Sequence, residues 1–256
     1  MSIDGFSDLD KGAFEAFSPH TAARFYGHLD RVARVLGVEV TGLENVPPGG
    51  ALFVANHAFA WDIAFAMGGI WKAKGRRVWA LGEHAWWRFP FLRKLAAAVG
   101  TVDGNPENCD RLLEAGELVL VLPGGLREAV KPKEMRYRLM WGRRYGFVRA
   151  AIRNGVPLVP VAAIGGDDVW DFMGDAYARG RRWTGRDIPI PLPTRILPIP
   201  HRVHLKYVIG APVLPRAVPA QADDPAIVRS VRLEIEGALH ELIDVELAAR
   251  AHLSLD

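Results

Sequence analysis

Ala51-Leu52-Phe53-Val54-Ala55-Asn56-His57-Ala58-Phe59-Ala60-Trp61-Asp62 decides the fold. The apolar run is bounded by Pro47-Pro48-Gly49-Gly50 before it and by a polar pair after it, the form of a parallel strand covered on both faces. Residues 59–74 then read as a helix that is apolar over most of its surface. His57 falls at the strand-to-helix turn, on the carboxyl edge where open α/β sheets place their ligands.

Residues five apart in a continuous α-helix point about 140° away from each other, so His57 and Asp62 can meet only if His57 lies outside the helix. With His57 in the turn and Asp62 in the first helical turn, the carboxylate reaches one imidazole nitrogen while the other faces a pocket. That arrangement fixes the tautomer and makes the ring a general base near neutral pH. Alone, a histidine and an aspartate at a helix start are more often capping and surface chemistry than catalysis, so the rest of the chain must supply the support.

Outward toward the N-terminus, residues 11–36 carry Phe14, Phe17, Phe25, Leu29, Val32 and Leu36 among Lys11, Arg24, Arg31 and Arg34. Ser18-Pro19 marks a cap and a first helical position within that segment. An apolar stripe with basic flanks fits a membrane interface and also an ordinary docking helix. A short strand is expected at Val38–Thr41 and another at Arg77–Leu81. Residues 83–94 place Trp86, Trp87, Phe89 and Phe91 beside Arg88, Arg93 and Lys94, either as an interfacial anchor or as core aromatics with solvated neighbours. Asn105 caps, and Pro106 opens, a helix through about Glu114.

Leu118-Val119-Leu120-Val121-Leu122 is a second buried strand, and it runs directly into Pro123-Gly124-Gly125-Leu126-Arg127-Glu128. Adjacent glycines let a backbone approach a ligand closely and take positive φ, so amides here can converge on an oxygen or a phosphate; the same tripeptide is also a common turn. Arg127 and Glu128, charged groups at a strand end, are expected to have a task or a partner. Residues 140–154 predict an amphipathic helix stopped by Gly155. A third buried strand follows at Val156–Ile164, whose prolines suggest an edge or a bulge. The proline-rich segments 188–193 and 196–200 read as a cover for the site, a dip into lipid, or surface packing. A late strand at 204–209 precedes a long helix from Pro225 to about His252, in which nothing suggests chemistry.

Strands separated by helices indicate crossover units, so the expected fold is α/β with a mixed, largely parallel central sheet flanked by helices. The 256 residues read as one α/β domain, 37–256, preceded by an N-terminal helical segment, 1–36. Half the residues are hydrophobic and 24% are charged, enough for a large core. The net charge of +3 favours anionic partners without choosing among them. A single cysteine, Cys109, excludes an internal disulfide framework and fits a reducing compartment. No apolar run approaches the roughly 18–20 residues of a spanning helix, so a membrane, if involved, is one the protein lies on. No metal-ligand cluster, Walker-type loop, dinucleotide glycine pattern or Gly-x-Ser-x-Gly elbow occurs.

Asn56-His57-x4-Asp62, Leu122-Pro123-Gly124-Gly125-Leu126-Arg127-Glu128-Ala129 and Gly155-Val156-Pro157-Leu158-Val159-Pro160-Val161 together resemble the ordered motifs of the glycerolipid acyltransferase superfamily, the lysophospholipid acyltransferase group. They correspond to its His-x4-Asp, Pro-Glu-Gly and Val-Pro-x-x-Pro-Val blocks, over roughly residues 38–215. The resemblance implies transfer of a fatty acyl group from acyl-CoA or acyl carrier protein to a glycerolipid or other lipid hydroxyl. In that reading His57 is the general base and Asp62 its orienting partner. Asn56, Pro123, Gly124, Gly125, Leu126, Arg127 and Glu128 are candidates for binding substrate, and Lys131 and Arg144 for holding CoA phosphates. The thioester donor is a co-substrate, and no cofactor or metal is expected. Partners are a lipid acceptor and a membrane surface, with no nucleic acid, and the expected location is peripheral on the cytoplasmic membrane face.

The sequence departs from the phosphate-acceptor pattern twice. It reads Pro123-Gly124-Gly125-Leu126-Arg127-Glu128 in place of Pro-Glu-Gly-Thr-Arg, closer to the diacylglycerol-acyltransferase-like branch. Gly100-Thr101-Val102-Asp103-Gly104 also lacks the arginine of the family's second block. Both shift the expected acceptor from lysophosphatidic acid toward a neutral hydroxyl. The alternatives are a thioesterase or lipid esterase using water, and a non-catalytic lipid-binding, membrane-associated protein.

Overall fold

Caps encoded in the sequence set the first elements of the computed structural model, which describes residues 17–58, 63–82, 96–193 and 203–253. The Ser18 side chain accepts from the Thr21 amide at 3.2 Å, Pro19 opens helix α1 (Pro19–Leu36), and Gly37 closes it. Strands β1 (Glu39–Thr41) and β2 (Ala51–Ala55) follow, then α2 (Ile63–Lys74), β3 (Val78–Gly82) and β4 (Thr101–Asp103). Asn105 caps α3 (Pro106–Glu114) by accepting from the Asn108 amide at 2.8 Å. Next come β5 (Leu118–Val121), the short α4 (Gly125–Ala129), α5 (Gly146–Asn154), β6 (Leu158–Ile164), α6 (Ala176–Thr184), β7 (Lys206–Ile209) and α7 (Pro225–Leu253). Asp62, the aromatic segment 83–94 and residues 196–200 lie outside the described residues.

The strands form a 7-stranded sheet in the order β1-β7-β6-β2-β5-β3-β4. Every neighbouring pair is parallel except β6 with β7, so the expected mixed, largely parallel sheet is observed. β2 is the middle strand, and β5 and β6 pair with it on either side in parallel. All five of its residues are fully buried. Leu52 and Val54 pack on one face with α3, α5 and α7; Ala51, Phe53 and Ala55 pack on the other with α1 and α2. Burying a side chain such as Phe53 or Leu52 contributes about 1.5–3 kcal/mol. A two-sided core of this kind gives the continuous apolar runs that the sequence shows.

This topology explains why three distant sequence blocks belong together. β2, β5 and β6 are adjacent and parallel, so the turns at Asn56-His57, Pro123-Gly124-Gly125 and Gly165-Gly166 all leave the sheet at one edge. Among the described residues, no helix is long and apolar enough to cross a membrane.

Two expectations are corrected. β6 is an interior strand, not an edge. The β7 ladder covers Val161–Ile164, the Pro160 carbonyl still accepts from the Gly210 amide at 2.8 Å, and the chain pairs again at Leu158 and Val213. Residues 211 and 212 are thus set against Val159 alone, in keeping with the bulge alternative, and Pro160 sits next to that irregularity. Helix α5 begins at Gly146, not at Met140. The Met140 amide donates to Glu128 Oε2 at 2.7 Å and Gly142 takes a left-handed φ of 52°, so the helix cannot extend back through these residues.

Candidate active site

The first block is held by its asparagine. The ladder between β2 and β6 ends at Ala55 opposite Val161, and two residues further along β6 the Asn56 side chain takes over. Its Oδ1 accepts from the Ala163 amide at 2.7 Å and its Nδ2 donates to the Ala163 carbonyl at 2.9 Å, in a fully buried position. Asn56 thus closes the sheet and is not placed to touch substrate, contrary to the expectation. Asn56→Leu leaves two buried backbone groups unpaired, each costing about 1–3 kcal/mol. The variant is expected to unfold at a clearly lower urea concentration with an unchanged slope of the unfolding transition.

His57 follows at the start of the turn, 7% exposed, and lines a cleft of about 970 Å³. One wall of the cleft is apolar, with Phe25 and Tyr26 from α1 and Ile63, Ala64 and Met67 from α2. The Tyr26 hydroxyl donates to the Val99 carbonyl at 2.9 Å, and burial pushes its pKa upward, so it remains a neutral phenol. The lining also includes Pro123, Gly125 and Leu126 of the turn after β5 and four cations, Arg143, Arg144, Arg149 and Arg229. Thr101 and Gly104 of the second block also line the cleft and bring no cation to it.

The two glycines of the Pro123-Gly124-Gly125 turn after β5 have different reasons. Gly125 takes φ +54°, which side-chain-bearing residues rarely adopt, and its amide donates to the Leu122 carbonyl at 2.9 Å. Gly124 has an ordinary φ of −70°, but a Cβ there would fall 2.0 Å from Glu128 Oε2. The first glycine therefore admits the Glu128 carboxylate, and the second makes the turn.

Glu128 is fully buried beneath the site. Its Oε1 accepts from the His57 amide at 2.7 Å and its Oε2 from the Met140 amide at 2.7 Å. Burial pushes its pKa up, against the nearby Lys131 charge and the two amides. Lys131 is buried as well, paired with Asp167 Oδ2 at 2.8 Å and donating to the His57 carbonyl at 3.4 Å. Burial likewise raises the pKa of Asp167, opposed first by Lys131.

These positions correct the expectations for three charged residues. Glu128 is occupied by two backbone amides and does not line the cleft. Lys131 is buried in an ion pair with Asp167 and does not line the cleft either. Arg127 turns outward, with its guanidinium 4.1 Å from the centre of the Tyr177 ring and 3.4 Å from Asp187. Arg144 does line the cleft, tied by its guanidinium to the Pro123 carbonyl. Sequence reading missed Arg143, Arg149 and Arg229. The first two lie on the Arg144 segment and share its basic character, whereas Arg229 on α7 carries no sequence signal and reaches the cleft only through the fold. Cys109 is buried and its thiol is pushed up to about 12, which makes it inert.

Comparison with known proteins places this geometry. The model of a family described as Acyltransferase matches residues 37–164, half of the chain and the part that carries all three blocks. A mouse protein named "DGAT1/2-independent enzyme synthesizing storage lipids" is 35% identical over 126 residues, covering 49% of this chain and 38% of its own length. An uncharacterized protein of Mycobacterium bovis is 29% identical over 228 residues, covering 84% of this chain and 63% of its own. The chain therefore spans less than two thirds of the length of these relatives. The crystal structure of a 1-acyl-sn-glycerophosphate acyltransferase from Thermotoga maritima shares the fold with a TM-score of 0.55 at 17% identity, over 93% of this chain and 84% of that one. With the family model spanning β1 through β6 and the turns that carry His57 and the paired glycines, the chain belongs to the acyltransferase family.

Proposed function

We propose that the chain is an O-acyltransferase that moves a fatty acyl group from acyl-CoA, or from acyl carrier protein, to a hydroxyl of a lipid acceptor. The observation that carries this reading is that His57 lines one cleft together with apolar residues of α1 and α2 and with four arginines. An acyl thioester has the same polarity, with a long apolar chain and an anionic phosphate-bearing carrier. The His57 imidazole takes the acceptor hydroxyl proton as that oxygen attacks the thioester carbonyl. Asp62 orients the ring and stabilises the imidazolium. The tetrahedral intermediate collapses by breaking the carbon–sulfur bond, and the imidazolium returns the proton to the departing thiolate. The Gly125 amide is already committed to Leu122 and Gly124 is buried away from the cleft lining, so the oxyanion donor in this reading is the Leu126 amide, contributing about 3–4 kcal/mol.

A neutral acceptor, such as a diacylglycerol, a monoacylglycerol or a long-chain alcohol, is favoured by the absence of a cation at Thr101 and Gly104, and the storage-lipid role in the mouse relative's name agrees with it. Peripheral attachment to the cytoplasmic membrane face is part of the same reading. Its support is the exposed Val32, Val35 and Leu36 on α1 beside Arg31 and Arg34. A panel of neutral lipids, lysophospholipids and water with one labelled long-chain acyl-CoA, read by product mass, tests the acceptor. Acylated neutral lipid is expected; free fatty acid as the main product in the presence of every acceptor would make the protein a thioesterase.

The donor side gives a separate expectation. Arg149→Ala combined with Arg229→Ala is expected to raise KM for acyl-CoA about tenfold, a change of about 1.4 kcal/mol, with kcat nearly unchanged. The effect should shrink as salt is added, because exposed guanidinium groups are screened. Initial rates at two ionic strengths check both parts.

A further inference from the structure

We propose that Glu128 and Lys131 are positioning residues that grip the His57 peptide from both sides and hold its imidazole at the cleft. The inference rests on His57 being the base.

His57 lies past the last residue of β2, where no strand ladder holds its backbone. Its amide instead donates to Glu128 Oε1 at 2.7 Å, and its carbonyl accepts from Lys131 Nζ at 3.4 Å. Both grips come from the segment that follows the paired glycines, and both side chains are buried. Lys131 is itself aimed by Asp167, 2.8 Å away in the turn that ends β6. The Tyr137 amide donates to the same Asp167 carboxylate. One buried ionic network therefore joins the turns after β2, β5 and β6.

Glu128 adds a second connection, because its other oxygen holds the Met140 amide at 2.7 Å. From Met140 the chain runs directly to Arg143 and Arg144 at the cleft. One carboxylate thereby sets the base and the arginine-bearing strap relative to each other. The Gly124 position, with room for no Cβ, is what lets that carboxylate reach both amides. Glu128 is fully buried and does not line the cleft, so its task toward the site is geometric. An error of about 1 Å in a catalytic group can cost about a hundredfold in rate.

The test uses Glu128→Gln and Lys131→Met. A glutamine keeps the shape but turns an NH2 group toward one of the two amides, and a methionine removes the grip on the carbonyl. Each variant is assayed with oleoyl-CoA and dioleoylglycerol, and its amide hydrogen exchange is followed by mass spectrometry over residues 52–58. The expected result is a fall in kcat of tenfold or more, with KM for oleoyl-CoA within about twofold and at least tenfold faster exchange at His57. A structural role alone would lower the melting temperature and leave kcat per folded molecule unchanged, and that result overturns the proposal. So does exchange at His57 equal to that of the unaltered protein. The unaltered protein supplies a check that needs no variant: the His57 amide should exchange as slowly as the amides of β2, and fast exchange there also overturns the grip. Because exchange is read without turnover, failure of the grip is distinguishable from failure of His57 as base, which His57→Ala reports separately.

Discussion

Replacing His57 with alanine is expected to lower acyl transfer about a hundred- to ten-thousand-fold, the range found for removal of a positioned general base. The fold should survive the change. The imidazole is at the wall of the cleft, while the backbone groups of His57 carry the contacts to Glu128 and Lys131 and are unaffected by truncation at Cβ. Far-UV circular dichroism and melting temperature close to those of the unaltered protein, together with the loss of transfer, are the expected result. Full transfer in His57→Ala would remove the assignment of the base and favour a lipid-binding role for the scaffold.

The largest stability effect is expected at a glycine whose backbone angles are ordinary. A Cβ at Gly124 would lie 2.0 Å from Glu128 Oε2 and 2.5 Å from Glu128 Cβ, so Gly124→Ala must displace the Glu128 side chain or the turn. Displacement leaves the amides of His57 and Met140 unpaired in the interior and a carboxylate away from its partners. The expected cost is about 3–5 kcal/mol, in the range for breaking a buried charged group away from its partners. At about 2–4 °C per kcal/mol for a chain of this size, the melting temperature should fall by about 10 °C. Gly125→Ala is the informative control. It incurs only the left-handed backbone penalty of about 1–2 kcal/mol, with the nearest atom an Arg144 guanidinium nitrogen at 3.2 Å, the far end of a flexible side chain. Thermal unfolding of the two variants side by side checks the order. A smaller effect at Gly124 than at Gly125 would contradict the role given to the Glu128 carboxylate.

Those two glycines show where the sequence is legible and where it is not. The apolar runs Ala51–Ala55, Leu118–Val121 and Leu158–Ile164 identify buried strands because parallel strands covered on both faces have no polar side to alternate. Local rules also place Ser18-Pro19 and Asn105-Pro106, since a cap is made within three residues of chain. What local rules miss is the direction in which a charged side chain points. Glu128 at a strand end reads as a ligand contact, yet it turns inward to two amides that are 71 and 12 residues away in the chain. The same long-range bond captures the Met140 amide and delays α5 until Gly146, against a helical pattern that begins earlier. Arg229 lies on a helix with no chemical pattern and joins the cleft because α7 packs over the sheet face that carries α5. In each case the deciding partner is distant in sequence.

In the proposed direct transfer, His57 activates an acceptor hydroxyl and the protein itself carries no acyl group at any stage. The measurement that tests it most directly incubates the protein with acyl-labelled acyl-CoA in the absence of any lipid acceptor, then follows CoA release and label on the denatured chain. Direct transfer predicts an unlabelled chain and little CoA release until a neutral lipid hydroxyl is added, after which CoA and acylated lipid form in equal amounts. Stoichiometric label on the protein, or CoA release at the same rate without acceptor, would contradict it.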